Sequence, residues 1–294
     1  MQKFENHILV PIDFSEQSLI ALNQSFNIAR FKNSIITLIH VIDSAFMDKF
    51  KSIFKDDSQD EKMIADAEKQ LKELANKYSA ETGLQFETIV EQGKIYDVII
   101  EKAQSMNTAF IVMGTNGEVT LTKKIIGSNA VRVISNAPCP VITIKGKLHR
   151  EGCKKIVMPI DITKESRDKV ETGVEFAKYF NSEILILCLD DSNDEFIENK
   201  LKRQLGQVEN YVTESGVQCS SHYMKVSDQS DTVLNFSKAA NADLILIMAQ
   251  QEGSMLEWFL STEAQQIINE SEIPVCSVKP FPRKDTTAFI LEDI

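Results

Sequence analysis

The chain has 294 residues, 43% of them hydrophobic and 26% charged, which is the profile of a globular protein with one large or two ordinary domains. Residues 1–150 carry 18 basic and 18 acidic side chains, whereas residues 151–294 carry 14 and 25 and so hold the whole net charge of −11. Neither half has the basic field that nucleic acid binding needs. No apolar run reaches the ~18 residues of a membrane span, and the first residues lack a signal-peptide pattern, so the expected location is the cytoplasm.

In chain order, the short β-branched runs Ile8–Ile12, Ile35–Ile42, Phe86–Val90, Ala109–Met113 and Val141–Ile144 read as strands buried on both faces. The longer stretches between them, Glu16–Phe31, Gln59–Ser79, Tyr96–Ala103 and Ser128–Ser135, read as helices. This alternation predicts right-handed crossovers and a parallel sheet with helices on both faces. The connection Asp43–Ser58 is unusually long and is expected to be a mobile flap. Beyond Gly146–Gly152 the strand pattern restarts, at Ile156–Ile160, Ile184–Leu189, Val217–Met224, Leu244–Met248 and Val275–Val278. Asp285–Ile294 reads as a loose tail.

The restart is a repeat. Ile8-Leu-Val-Pro-Ile-Asp-Phe-Ser-Glu-Gln-Ser18 and Ile156-Val-Met-Pro-Ile-Asp-Ile-Thr-Lys-Glu-Ser166 agree at five of eleven positions, at an offset of 148. Asn33-Ser34 and Asn181-Ser182 keep that offset, but Cys139–Lys145 and Ile273–Lys279 match at 134, so the second copy is shorter. A period of this size means a duplicated domain rather than a solenoid. The expected organisation is one domain over 1–146, a second over 153–280 and a tail over 281–294.

Five dispersed cysteines (Cys139, Cys153, Cys188, Cys219, Cys276) read as small buried hydrophobes, and the four histidines (His7, His40, His149, His222) lack metal-ligand spacing. The chemistry lies after the fourth strand. There Met113-Gly114-Thr115-Asn116-Gly117 is followed nine residues later by Gly127-Ser128, which opens a helix, with Lys123 and Lys124 just before it. Glycines allow a tight turn and a close backbone approach, and a helix N-terminus suits phosphate. Glycines also turn chains and open helices in proteins with no ligand, so the pair alone leaves both readings open. In the second copy, Met248-Ala-Gln-Gln-Glu-Gly253 aligns with Met113–Glu118, setting Ala249 and Glu252 in place of Gly114 and Gly117 in a loop one residue shorter. Ser261-Thr262-Glu263 replaces Gly127-Ser128-Asn129, and Glu252 and Glu257 add negative charge. That loop is expected to be degenerate, with Asp161 kept for structure.

The pattern Gly-x2-Gly-x9-Gly-Ser, with Val10-Pro11-Ile12-Asp13 on the first strand and Pro140-Val141 on the last, resembles the universal stress protein family in its tandem form, over nearly residues 4–280. The resemblance implies two doubly wound α/β domains, each a five-stranded parallel sheet of order 3-2-1-4-5, with ATP at the switch point between strands one and four. It places Pro11 and Asp13 at the end of strand one, Asp13 near the ribose, and Val41 against the adenine. Met113, Gly114, Gly117, Gly127, Ser128, Asn129 and Ala130 would line the ribose and phosphates. Relatives often carry a hydroxyl where Asn129 or Ala130 stands, so those two contacts reduce to backbone or are lost. Asp13 also fits a helix N-cap.

The function so implied is that of an ATP-binding regulatory or stress-response protein, with magnesium as an optional companion of the nucleotide. Two alternatives stand beside it: a slow ATPase, and a dimerisation or interaction module with a vestigial nucleotide site. No general base, arginine finger or metal triad accompanies the loop, which speaks against fast turnover. The P-loop, the nucleophile elbow and the acidic pair of a phosphorylation receiver are all missing. The resemblance further implies that the two terminal strands pair, joining the copies as an intramolecular pseudo-dimer. A homo-oligomer and a separate protein partner of unspecified kind are additional expectations.

Overall fold

The first unit's strands are β1 (His7–Pro11), β2 (Ile35–Asp43), β3 (Phe86–Gly93), β4 (Phe110–Gly114) and β5 (Val141–Ile144), all parallel and ordered β3-β2-β1-β4-β5. The computed structural model describes residues 7–45, 58–115, 126–145, 152–160, 164–251 and 258–279, and the chain divides into units Met1–Glu151 and Gly152–Ile294. The expected flap between Asp43 and Ser58 and the tail Asp285–Ile294 fall largely or wholly outside the described residues.

β1 lies between β2 and β4, and its Ile8, Leu9 and Val10 are fully buried, as a strand covered on both faces requires. The expectation of two buried faces fails for β3, where Glu87 and Thr88 are exposed: it is the outermost strand beside β2, and its far edge has no partner within the sheet of its unit. Helices α1 (Glu16–Lys32), α2 (Ser58–Thr82), α3 (Ile95–Ser105) and α4 (Ser128–Asn136) connect the strands. α1 starts at Ser15, whose side chain accepts the Ser18 N–H, and stops at Asn33, in the left-handed region at φ 50°. In α2 the buried Ala67, Leu71 and Ala75 recur every four residues, giving one apolar stripe toward the sheet.

The second unit contains β6 (Lys155–Ile160), β7 (Glu183–Asp190), β8 (Cys219–Lys225), β9 (Leu244–Met248), the short antiparallel pair β10 (Gln250–Gln251) and β11 (Trp258–Phe259), and β12 (Val275–Val278). Its helices are α5 (Lys164–Phe180), α6 (Glu195–Glu214), α7 (Gln229–Ala239) and α8 (Thr262–Glu270). The five main strands run parallel in the order β8-β7-β6-β9-β12, the same topology as the first unit. Pairing registers show where the second copy lost residues. His7 pairs with Ile35 as Lys155 pairs with Glu183, an offset of 148, but Phe86 and Cys219 hold equivalent places on the third strands. The deletion therefore lies between the second and third strands.

The same registers correct the alignment of the loops. Gly114 pairs with Ile144 as Met248 pairs with Val278. One residue on, the Thr115 N–H donates to the Ile144 carbonyl (3.3 Å) and the Ala249 N–H to the Val278 carbonyl (2.8 Å). Met248, not Ala249, therefore holds the place of Gly114, and Gln251 holds that of Gly117. The second loop is as long as the first, not shorter. A methionine on each strand invites the wrong match, since the counterpart of Met113 is Ile247. None of the five cysteines forms a disulfide. Cys188 and Cys276 are buried as expected, whereas Cys139, Cys153 and Cys219 are only partly covered.

Candidate functional site

The carboxyl ends of β1, β2 and β4 meet the N-termini of α3 and α4 around an open cavity of about 250 Å³. Nine of the ten sequence-derived candidates line it: Pro11, Asp13, Val41, Met113, Gly114, Gly127, Ser128, Asn129 and Ala130. The tenth, Gly117, lies outside the described residues, as do Lys123 and Lys124. The cavity sits where strand order reverses beside β1, the position at which open α/β sheets bind ligands.

Three local features build it. At the end of β1, Asp13 is exposed, and its Oδ1 accepts hydrogen bonds from the Ser15 N–H (3.0 Å) and the Ser15 hydroxyl (2.5 Å). Both bonds go to one oxygen, so Oδ2 stays available. The next residue, Phe14, has φ 63°, which costs a side chain of this size about 1–2 kcal/mol. At the end of β4, a Cβ on Gly114 would come within 3.1 Å of the Gln17 backbone. Close packing of β4 on α1 thus favours glycine here whether or not a ligand binds. At the start of α4, Gly127 occupies the N-cap with φ −61° and no side-chain hydrogen bond, and the first turn holds no acidic residue. The first-turn N–H groups of Ser128, Asn129 and Ala130 are thus uncapped at the cavity wall, with the positive end of the helix dipole behind them.

The equivalent helix start in the second unit is closed. Ser261 caps α8 by accepting the Ala264 N–H (3.1 Å), and Glu263 puts a negative charge in the first turn. The hydroxyl at the place of Ser128 survives as Thr262. The preceding loop pairs with itself, Gln250 with Phe259 and Gln251 with Trp258. Asp161, Glu252 and Glu257 lie outside the described residues.

Sequence reasoning missed the apolar wall. Ile95 and Ile99, one turn apart at the start of α3, face the cavity together with Ile12 and Ile39, and Ser15, Ser18 and Thr115 complete it. The i, i+4 isoleucine spacing was the available signal, but it is equally the spacing of a helix packing on its sheet. Among the described residues no cluster of three or more His, Cys, Asp or Glu side chains could hold a metal ion, and no helix is long and apolar enough to cross a membrane.

Comparison with known proteins agrees with this architecture. The profile of the universal stress protein family matches residues 5–145 and again 152–279. Universal stress protein MJ0531 of Methanocaldococcus jannaschii is 32% identical over 147 residues, 47% of this chain and 81% of that protein. Universal stress protein MJ0577 of the same organism is 26% identical over 153 residues, 48% of this chain and 94% of that protein. A universal stress protein from Archaeoglobus fulgidus shares the fold with a TM-score of 0.74 at 22% identity, covering 94% of this chain and 99% of that one. Two consecutive family matches on two units of identical strand order leave one conclusion: the chain belongs to the universal stress protein family, in tandem form.

Proposed function

We propose that the first unit binds ATP in the cavity between β1, β4 and α4, and that the chain acts as a cytoplasmic nucleotide-binding regulatory protein. The observation that carries this reading is the uncapped α4 N-terminus at the cavity wall, set against the capped, acidic α8 N-terminus. The N–H groups of Ser128, Asn129 and Ala130, with the Ser128 hydroxyl, would receive the phosphates, a favourable placement of up to about 2 kcal/mol in a partly buried geometry. Asp13 Oδ2 would accept a ribose hydroxyl or reach a magnesium ion through water. Val41, Ile95 and Ile99 supply the apolar walls that a base needs, and Pro11, Met113, Gly114 and Gly117 line the remainder. The cavity is smaller than the ~300–1,000 Å³ typical of ligand pockets and is open, so part of the nucleotide would stay in contact with solvent.

One ATP per chain is the expected stoichiometry by isothermal titration calorimetry. No binding, or two equivalent sites, overturns the reading. Because the sequence offers no clear general base or metal triad at the loop, turnover should fall far below the ~1–10³ s⁻¹ of ordinary enzymes. A contaminant-free rate inside that range would overturn this part.

On the same reading the domains span 1–146 and 153–280. Their terminal strands β5 and β12, apolar at Val141, Ile142, Ile144, Val275 and Val278, join as an intramolecular pseudo-dimer. Fast hydrogen exchange throughout Val141–Ile144 would refute that pairing.

A further inference from the structure

We infer that Phe14 and His40, neither of which lines the cavity, are positioning residues that hold the Asp13 carboxylate in place for ligand; the inference rests on the nucleotide reading of that cavity. Among the described non-glycine residues with positive φ, the others are Asn33, Asn107, Asn181 and Asn241, the residue type whose short polar side chain tolerates this region best. Phe14 is the exception, and a bulky residue stays in the left-handed region only where its surroundings over-determine it. Here they do. Its ring lies 5.1 Å from the His40 ring, tilted by 43°. His40 in turn stands 2.7 Å from the Ile12 carbonyl through Nδ1. A carbonyl only accepts, so Nδ1 carries the hydrogen and donates it. The Ile12 N–H donates to the Ile39 carbonyl (2.8 Å). Ile12 is thereby tied to β2 on both sides, and Phe14 is pinned over the same strand. Asp13, between them, is left to turn outward with its Oδ1 held by Ser15.

The second unit supplies an internal comparison. By strand register, Cys188 holds the place of His40, and at the same offset Ile162 holds that of Phe14. Cys188 is buried, and its thiol faces the Leu201 carbonyl at 3.9 Å. Both halves of the device are therefore replaced in the copy whose helix start is capped and acidic, although Asp161 is retained there.

The test uses the full-length chain, titrated with ATP. His40→Phe keeps a ring beneath Phe14 but removes the donor, and should weaken ATP binding about tenfold, or about 1.4 kcal/mol. His40→Asn, whose amide nitrogen can take the place of Nδ1, should recover most of the loss. In an Asp13→Asn background, His40→Phe should add little, because the two residues act through one contact. Phe14→Gly relieves the backbone yet should still weaken binding.

A second readout is hydrogen exchange at the Ser15 amide in the ligand-free chain. Its protection by Asp13 Oδ1 should fall in His40→Phe and persist in His40→Asn. If wild type binds ATP and the His40 variants match it, the positioning role is overturned while the nucleotide reading stands. If wild type fails to bind ATP, the nucleotide reading falls, and unchanged Ser15 protection in His40→Phe would overturn the positioning role as well.

Discussion

Where β4 ends the chain has a glycine, and at the same register in β9 it has a methionine. Gly114 lets β4 close on α1 and leaves the path to the α4 N-terminus clear. Met248 brings a long side chain to that position, and Ser261 and Glu263 then satisfy and neutralise the helix start behind it. Two copies of one topology thus differ at the strand end and the helix start that line the first unit's cavity.

A second contrast lies between strands two and three. Ile42 is buried in an apolar cluster with Ala67, Met63, Ile64 and Val90. Its counterpart by register is Asp190, only 1% exposed, and the counterpart of Val90 is Tyr223. Asp190 Oδ1 accepts from the Ser192 N–H (2.9 Å) and hydroxyl (2.6 Å), and its Oδ2 accepts from the Tyr223 hydroxyl. Glu198 bridges Lys202 and Lys225 nearby, and Lys202 sits over the Tyr223 ring. The Ser192 hydrogen bonds first, then that of Tyr223, hold the Asp190 carboxyl below the usual carboxylate range. Burial first, and then the bond to Asp190, raise the Tyr223 hydroxyl above its ordinary value. A polar network there replaces a hydrophobic one.

Exchanging residues between units sharpens both contrasts. Ile42→Asp introduces a carboxylate with Ser44 two residues on but Val90 where a tyrosine is needed, and should cost the first unit roughly 3–5 kcal/mol. Adding Val90→Tyr should return part of it, read by hydrogen exchange of α2 and β2 peptides. Gly114→Met should weaken ATP binding at least ~100-fold, or ~2.7 kcal/mol. Because of the Gln17 contact it should also cost about 1–3 kcal/mol of stability, so titration must be paired with a melt.

Gly127→Ser separates binding from stability. It gives α4 the cap that α8 has, at nearly the same backbone angles. The unit should gain a few tenths of a kcal/mol while ATP affinity falls roughly tenfold.

Asp190→Asn tests acid response. A depressed carboxyl adds stability above its unfolded value of about 3.9 and loses it as pH falls through the lower folded value. The variant should flatten that part of the acid limb in second-unit peptides and leave the first unit unchanged. The smallest effect belongs to Lys102→Ala: its 2.5 Å pair with Glu91 is partly exposed, and its loss should cost no more than ~1 kcal/mol.

The α/β alternation and the duplication were legible in the sequence, because buried parallel strands read as β-branched runs and the second copy repeats them, whereas the nine cavity residues came from the resemblance to the family. The register of β9 was not, since two methionines one step out of phase look alike until hydrogen-bond partners are known. Nor was the exposed face of β3, because a strand's place in the sheet order decides its burial. Ile95 and Ile99 stayed hidden for a similar reason: apolar residues on α3 look the same whether they face a sheet or a cavity.

The Asp190–Tyr223 contact also bears on how a duplicated chain avoids mixing its halves. Strands of similar sequence tethered in one molecule invite exchange during folding, when one copy's strand can enter the other copy's sheet. A β7 strand entering the first sheet in place of β2 would bring Asp190 to the apolar position of Ile42, beside Val90 rather than a tyrosine. A β2 strand in the second sheet would leave the Tyr223 hydroxyl without its acceptor. The first error buries an unpaired carboxylate and the second leaves the half-buried Tyr223 hydroxyl without its acceptor, so the network penalises the wrong assembly as well as holding the right one.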